Sequence, residues 1–253
     1  MDIHIFSSTG ELARAVAEQI ASVVRERPSA VLALPTGRTP VAVYEELVRL
    51  HHSGRADFSS AIFFGLDEFV GIPGDHPGSF RHFLERHLLR PLDVHPMRVH
   101  FLNGVAPDLD VECQRYEQKL DEAGGIDLLM VGIGANGHIG FNEPDETLSP
   151  LTHLVRLHEK TRRDNALQFG NDLDRVPQDA LSMGMATLLR ASRILLIAMG
   201  ARKARCIERS VRGPLTTQLP ASFLQLHRAV NVYLDRDAAS LLREPAGEVV
   251  RGA

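Results

Sequence analysis

Short apolar runs alternate with helical segments along most of the chain, and this alternation constrains the fold more than any other feature of the sequence. The helical segments carry apolar residues at a spacing of three to four positions, whereas the runs between them are short and rich in Val, Ile and Leu. Strands separated by helices indicate βαβ units. We therefore predict a single-domain α/β protein with a doubly wound, mostly parallel, Rossmann-like sheet and helices on both faces.

The predicted elements are read from these runs. Strands are expected over residues 3–6, 30–34, 61–66, 99–102, 126–133, 193–199 and 229–234. Helices are expected over residues 10–25, 40–52, 79–89, 109–123 and 200–210, with a short one from about residue 238. Thr9 and Thr39 are predicted N-caps for the first two helices. One domain spans residues 1–253. Segment 147–176 lacks periodicity and is either a mobile lid or a poorly patterned helix pair.

Composition restricts the classes of partner. The chain of 253 residues has 28 basic and 32 acidic residues, a net charge of −4, so it lacks the basic excess that nucleic-acid binding requires. It has no 18-residue apolar run for a membrane span, and its N-terminus does not resemble a signal peptide. Cys113 and Cys206 lie far apart and are expected to be reduced. These features predict a cytoplasmic protein, none of them calls for a metal site, and they leave a homo-oligomer open.

The run GIGANGHIGFNEP at residues 132–144 follows an apolar strand and carries the most chemistry. Its G-x-G-x-x-G spacing matches the dinucleotide fingerprint, but the run continues to Pro144 without a helix or the acid expected about 20 residues later. It instead places Asn136, His138 and Glu143 within one glycine-rich loop. An imidazole with a carboxylate nearby is a proton-transfer unit.

Three other predicted strand ends carry polar groups. Residues 35–40 form a turn before a helix, which suits a phosphate because backbone N–H groups and the helix dipole favour anions. The polar residues of this turn, with its glycine, are Thr36, Gly37, Arg38 and Thr39. Asp67 and Glu68 follow a strand, where one of them can be a general base, or the pair can cap a helix. Lys203 lies near a helix start and suits a phosphate monoester. Together these loops predict an isomerase-like or hydrolase-like site for a phosphorylated sugar.

Several motifs resemble one family. The segments LPTGRTP at residues 34–40, LDEFVG at 66–71, the run at 132–144 and LPASFLQLH at 219–227 are similar to those of glucosamine-6-phosphate deaminases, in the glucosamine/galactosamine-6-phosphate isomerase family. The resemblance covers nearly the whole chain. The related 6-phosphogluconolactonases share the fold but continue Gly-His-Thr-Ala-Ser, where this chain has Gly137-His-Ile-Gly-Phe141.

The resemblance implies conversion of glucosamine 6-phosphate and water to fructose 6-phosphate and ammonia, without a metal or cofactor. His138 would help to open the pyranose ring, with Glu143 and Asn136 orienting it, and Asp67 would move a proton between C2 and C1. The phosphate would lie on the turn at 36–39 with Lys203, and Gly137 would line the site. Galactosamine 6-phosphate as substrate, a lactonase and a sugar-phosphate-sensing regulator are the alternatives.

Three positions depart from the family pattern. Asn136 stands where many relatives carry Asp, and an amide can orient an imidazole but cannot stabilise its charge. Leu167 stands where some relatives carry a phosphate-binding Arg. Arg38 stands where the residue is usually small, which suggests that Arg38 supplies the missing cation, with Arg162 and Arg163 as competing candidates.

Overall fold

The computed structural model describes residues 1–242, which form two sheets. Seven strands make the larger sheet, in the order β1-β10-β9-β6-β2-β3-β5, and all its neighbouring pairs are parallel. The strands of this sheet are β1 (Asp2–Phe6), β2 (Val31–Leu34), β3 (Ile62–Gly65), β5 (Val99–His100), β6 (Leu128–Gly132), β9 (Arg193–Ala198) and β10 (Val230–Asp235). This confirms the predicted parallel sheet.

Helices cover both faces of the larger sheet, because successive strand residues point to opposite faces. On β2, Leu32 and Leu34 join a core with α1 and α2, whereas Val31 and Ala33 join a second core with α4, α6 and α7. The α-helices are α1 (Thr9–Glu26), α2 (Val41–His52), α3 (Phe80–Leu84), α4 (Leu109–Glu122), α5 (Glu159–Asn165), α6 (Met185–Leu189) and α7 (Ala204–Arg212). A π-helical turn (Glu85–Leu89) extends α3.

The predicted helix starts need small corrections. Ser8, not Thr9, caps α1, because its side chain accepts a hydrogen bond from the Glu11 backbone N–H. Pro40 precedes α2 without a side-chain cap, so the prediction of Thr39 as N-cap was wrong. The segment from residue 236 to 241 forms turns instead of the predicted short helix, and the rest of that prediction lies outside the described residues.

The smaller sheet has three antiparallel strands that the sequence did not predict, in the order β4-β8-β7. They are β4 (Asp67–Phe69), β7 (His153–Arg156) and β8 (Asp179–Ser182). Segment 147–176 therefore contains a strand, α5 and two 3-10 turns (Ala166–Phe169 and Leu173–Arg175), so the helix-pair alternative was wrong. Phe169 packs edge-on against Phe69 of the smaller sheet, with ring centroids 5.3 Å apart.

Among residues 1–242, no helix combines the length and the apolar character needed to cross a membrane.

Candidate active site

Four polar loops emerge side by side at the carboxyl edge of the larger sheet. They follow β9, β6, β2 and β3, which are consecutive in the sheet order. From β2 the chain continues to β3 and β5 on one side, and β6 then returns to the other side of β2. Open α/β sheets bind ligands at such a switch point. The sequence therefore predicted correctly which loops meet.

Asp67 and Glu68 have different surroundings, although they are adjacent in β4. The Glu68 carboxylate is 1% exposed and accepts hydrogen bonds from Ser79 Oγ (2.7 Å) and from the backbone N–H groups of Phe69, Phe80 and Arg81 (2.9–3.1 Å). Glu68 therefore anchors the start of α3. Of the two roles predicted for the acid pair, general base and helix cap, Glu68 has the second.

The Asp67 side chain accepts no hydrogen bond from the described residues and is 7% exposed. Burial, with the nearby charge of Glu68, raises the pKa of Asp67 from 3.8 to about 8. The loop at 132–144 reaches this carboxylate, since a Cβ added at Gly140 would lie 3.5 Å from Asp67 Oδ2. A buried carboxyl group without fixed partners can take up and release a proton within the site.

Hydrogen bonds to β8 hold this loop over Asp67. The Phe141 backbone N–H donates to Ser182 Oγ (3.0 Å), and Asn142 Nδ2 donates to the Met183 carbonyl (2.8 Å). Because Ser182 is the register partner of Asp67, the loop is fixed beside the carboxylate. The smaller sheet thus holds Asp67 next to the loop at 132–144, which carries the other candidate residues of the site.

Glu143 lies at the centre of the polar cluster. Its Oε2 accepts a hydrogen bond from Asn136 Nδ2 (2.7 Å) and lies 3.4 Å from His138 Nδ1. Burial alone would raise the pKa of Glu143, but hydrogen bonding and charge from His138, with contributions from Thr161 and Asn136, lower it to about 2. Glu143 is therefore a carboxylate, suited to orient an imidazole and to stabilise its charged form.

Asn136 has a different contact from the one predicted. Its Nδ2 holds Glu143 and its Oδ1 accepts from the His138 backbone N–H (3.2 Å), so it orients the imidazole indirectly. The His138 ring lies across Gly134, where an added Cβ would be 2.4 Å from Cε1. Gly134 is therefore required for the ring to approach the loop, a role that the sequence analysis did not assign.

Gly137 is also constrained by packing. Its φ is +93°, and an added Cβ would lie 2.1 Å from Leu219 Cδ1. The Gly137 carbonyl accepts a hydrogen bond from Ala221 N–H (3.0 Å), which ties the loop to the LPASFLQLH segment. Gly137 thus fixes the conformation of the loop, and its predicted place in substrate binding stays a prediction.

The predicted phosphate groups occupy two neighbouring loops. Lys203 Nζ donates to the Ile133 carbonyl (2.6 Å), which places its ammonium group at the end of β6, and burial lowers its pKa. Thr36, Gly37 and Thr39 form the turn after β2 and are partly exposed, while Arg38 is exposed and has no ion pair among the described residues.

Arg162 and Arg163 are already engaged within the described part of the chain. The Arg162 guanidinium donates to the carbonyls of Leu173 (2.7 Å) and Val176 (2.9 Å), so it stabilises segment 147–176. Arg163 forms an ion pair with Glu159 on the exposed side of α5. These contacts make both arginines weaker candidates for phosphate than Arg38.

Comparison with known proteins agrees with the resemblance. The family model described as glucosamine-6-phosphate isomerases/6-phosphogluconolactonase matches residues 7–233. The chain belongs to this family. Curated family members similar to it include glucosamine-6-phosphate deaminases of Alkaliphilus oremlandii, 46% identical over 96% of this chain and 100% of the relative, and of Halothermothrix orenii, 44% identical with the same coverage.

Solved structures of the glucosamine-6-phosphate isomerase/6-phosphogluconolactonase family have the same fold as this chain. A monomeric glucosamine-6-phosphate deaminase is 41% identical, covers 95% of this chain and 100% of its own, and superposes with a TM-score of 0.92. The 6-phosphogluconolactonase of Trypanosoma brucei is 19% identical over 96% of this chain and 98% of its own, with a TM-score of 0.75, which shows a shared fold alone.

Two polar groups near Glu143 were not predicted from the sequence. His158 Nδ1 lies 3.6 Å from Glu143 Oε2, and Thr161 Oγ1 lies 3.5 Å from His138 Nδ1. Both belong to segment 147–176, whose fold brings α5 against the loop at 132–144. No periodicity or motif in that segment indicated this contact.

Proposed function

We propose that this chain is a glucosamine-6-phosphate deaminase, which converts glucosamine 6-phosphate and water to fructose 6-phosphate and ammonia. The observation that carries the proposal is the juxtaposition of the buried Asp67 carboxyl group, which accepts no hydrogen bond from residues 1–242, with the separate His138–Glu143 pair. The reaction needs both, since opening of the pyranose and transfer of a carbon-bound proton are distinct acid–base steps. The relatives that match almost the whole chain carry this name.

The first step assigned to the site is ring opening. His138, oriented by Glu143, takes the proton of the C1 hydroxyl and returns one to the ring oxygen, so that the C1–O5 bond breaks and an aldehyde forms. Glu143 stays ionised and stabilises the imidazolium, as its low pKa of about 2 allows. Asn136 keeps Glu143 in place.

Proton transfer between carbons then falls to Asp67. Its carboxylate removes the C2 proton and delivers a proton to C1, while the carbonyl oxygen on C1 gains a proton and the amino group loses one. The product is a fructosimine, whose C=N bond water hydrolyses to a ketone and ammonia. The amino group of the substrate also explains how Asp67 can act as a base. A protonated amine next to C2 is a cation, and a nearby cation lowers the pKa of a carboxyl group. A neutral lactone ring offers no such cation.

The test is a substrate panel with the purified chain. We expect ammonia release from glucosamine 6-phosphate, unchanged by a chelator, with galactosamine 6-phosphate in the panel because the epimers differ at one hydroxyl. Ammonia release from the galactosamine epimer alone would replace the proposed substrate. Hydrolysis of 6-phosphogluconolactone without ammonia release from either amino sugar would contradict the proposal.

Phosphate binding is assigned to the turn at 36–39 together with Lys203. A charge-assisted contact to a phosphate is worth on the order of 1.5–3 kcal/mol. We therefore expect Arg38→Ala to raise KM for the phosphorylated sugar by roughly 10–100-fold, with a smaller effect on kcat. Steady-state kinetics would measure both constants.

The matched control for this prediction is Arg163→Ala, which removes an exposed arginine already paired with Glu159. Arg163→Ala should leave KM unchanged. If Arg38→Ala also leaves KM unchanged, Arg38 points to solvent and Lys203 with the backbone of the turn carries the phosphate.

A further inference from the structure

A second imidazole adjoins the catalytic carboxylate. His158 immediately precedes α5, and its Nδ1 is 3.6 Å from Glu143 Oε2, the oxygen that also lies 3.4 Å from His138 Nδ1. Both distances exceed the 2.7–3.2 Å of ordinary N–H···O hydrogen bonds. One carboxylate oxygen is therefore shared by two imidazoles, neither of which holds it at full hydrogen-bond strength.

The contacts of Asn136, His138 and His158 with Glu143 all go to the same oxygen, Oε2. Asn136 Nδ2 already donates to Oε2 at 2.7 Å. The other oxygen, Oε1, is buried and has no partner among the described residues. A stronger bond from one imidazole to Oε2 therefore weakens the contact of the other.

We propose that His158 is a positioning residue that competes with His138 for Glu143, and thereby couples segment 147–176 to the ring-opening group. The kinetic consequence rests on the proposed function, but the competition itself does not. When His158 holds the carboxylate, the charged form of His138 loses its partner. When the half-exposed His158 ring turns away from Oε2, Glu143 serves His138 alone.

The charged groups around His158 are consistent with this competition. The facing loop contributes Glu143 and His138. On its own helix, Glu159 is paired with Arg163, and Lys160 adds a positive charge near the site. Two imidazoles beside one ionised carboxylate disfavour the state in which both carry a proton, because like charges repel. Removal of the His158 ring should therefore favour the protonated form of His138.

The variant His158→Ala tests this directly, since the His158 side chain is 49% exposed and does not cap α5. We expect the midpoint of the His138 ring titration, followed by NMR in the absence of substrate, to move up by about 0.5–1 pH unit. The thermal midpoint of unfolding should not change. His52→Ala, which removes an exposed ring at the end of α2, is the matched control and should not move the midpoint of the His138 titration.

Superimposable His138 titrations in His158→Ala and the unaltered chain would overturn the proposal. If the unaltered chain releases no ammonia, the proposed function fails, whereas the coupling of the two imidazoles is still decided by the titration.

Discussion

Replacement of Asp67 by Asn is expected to reduce kcat by roughly 10²–10⁴-fold, the usual cost of losing a general base. KM should change little, because the carboxylate acts in the chemical step and not in phosphate binding. Exchange of the C2 proton with solvent should disappear in the same variant. The expected results follow from the buried position of Asp67 beside the loop at 132–144, where it accepts no hydrogen bond from the described part of the chain. An Asp67→Asn variant that still exchanges this proton would contradict the role.

The adjacent acid provides a matched control with the opposite behaviour. In the folded protein the almost fully buried Glu68 carboxylate accepts four hydrogen bonds, and Glu68→Gln replaces this carboxylate by a neutral amide. It should lower the free energy of unfolding by about 2–3 kcal/mol, since hydrogen bonds to a charged group are lost. Asp67→Asn should not destabilise the protein. Denaturant unfolding of both variants distinguishes a base from a structural cap.

The pH dependence of the unaltered enzyme follows from the same group. Asp67 has a pKa of about 8 in the substrate-free site, so below that pH it is largely protonated and cannot accept a proton. The ratio kcat/KM reports the ionisation of groups on the free enzyme and the free substrate. After correction for the titration of the substrate amine, kcat/KM should therefore rise with pH up to about 8.

The stability of the protein should also depend on this group. Because the folded state holds the Asp67 proton more tightly than the unfolded chain, Asp67 lowers the free energy of unfolding progressively between pH 3.8 and 8. Asp67→Asn should therefore be more stable than the unaltered chain at pH 9.

His138→Gln is the second change with a large expected effect. Turnover of the closed pyranose should fall by roughly 10²–10⁴-fold, because the ring-opening acid–base group is lost. An open-chain analogue that cannot form the pyranose should be affected much less. Rapid-quench kinetics on both compounds would measure the difference.

His52→Gln is the control for the histidine change, as its ring is exposed at the end of α2 and lies outside the site. It should turn over both compounds normally. If His138→Gln slows the two compounds equally, His138 does not open the ring, and the Glu143 cluster has a different role.

The larger sheet could be predicted because each strand is an apolar run that lies next to a helical segment. The same reasoning placed four loops at one edge, since the carboxyl ends of parallel strands meet there. The carboxylate and imidazole groups of the candidate site, Asp67, His138 and Glu143, lie at the sheet edge that the sequence predicted, and their catalytic roles stay a prediction. The strand pattern alone did not distinguish Asp67 from Glu68, and the choice of Asp67 came from the family resemblance, because the difference depends on the four donors that gather around Glu68.

The smaller sheet could not be predicted from local patterns. Its strands have only three or four residues, and β4 follows β3 after a single residue, so its two acids read as the polar end of the preceding strand. Its core gathers Phe69, Phe80, Phe141 and Phe169 from four separate segments, and only tertiary packing brings them together. The contact of His158 with Glu143 is missed for the same reason.

The most direct test of the account is one reaction that contains the purified chain, glucosamine 6-phosphate and 6-phosphogluconolactone. We predict that ammonia and fructose 6-phosphate appear in equal amounts, while the lactone disappears at its uncatalysed rate. Catalysed loss of the lactone with no release of ammonia would contradict the account, because the same four loops would then serve ester hydrolysis instead of deamination.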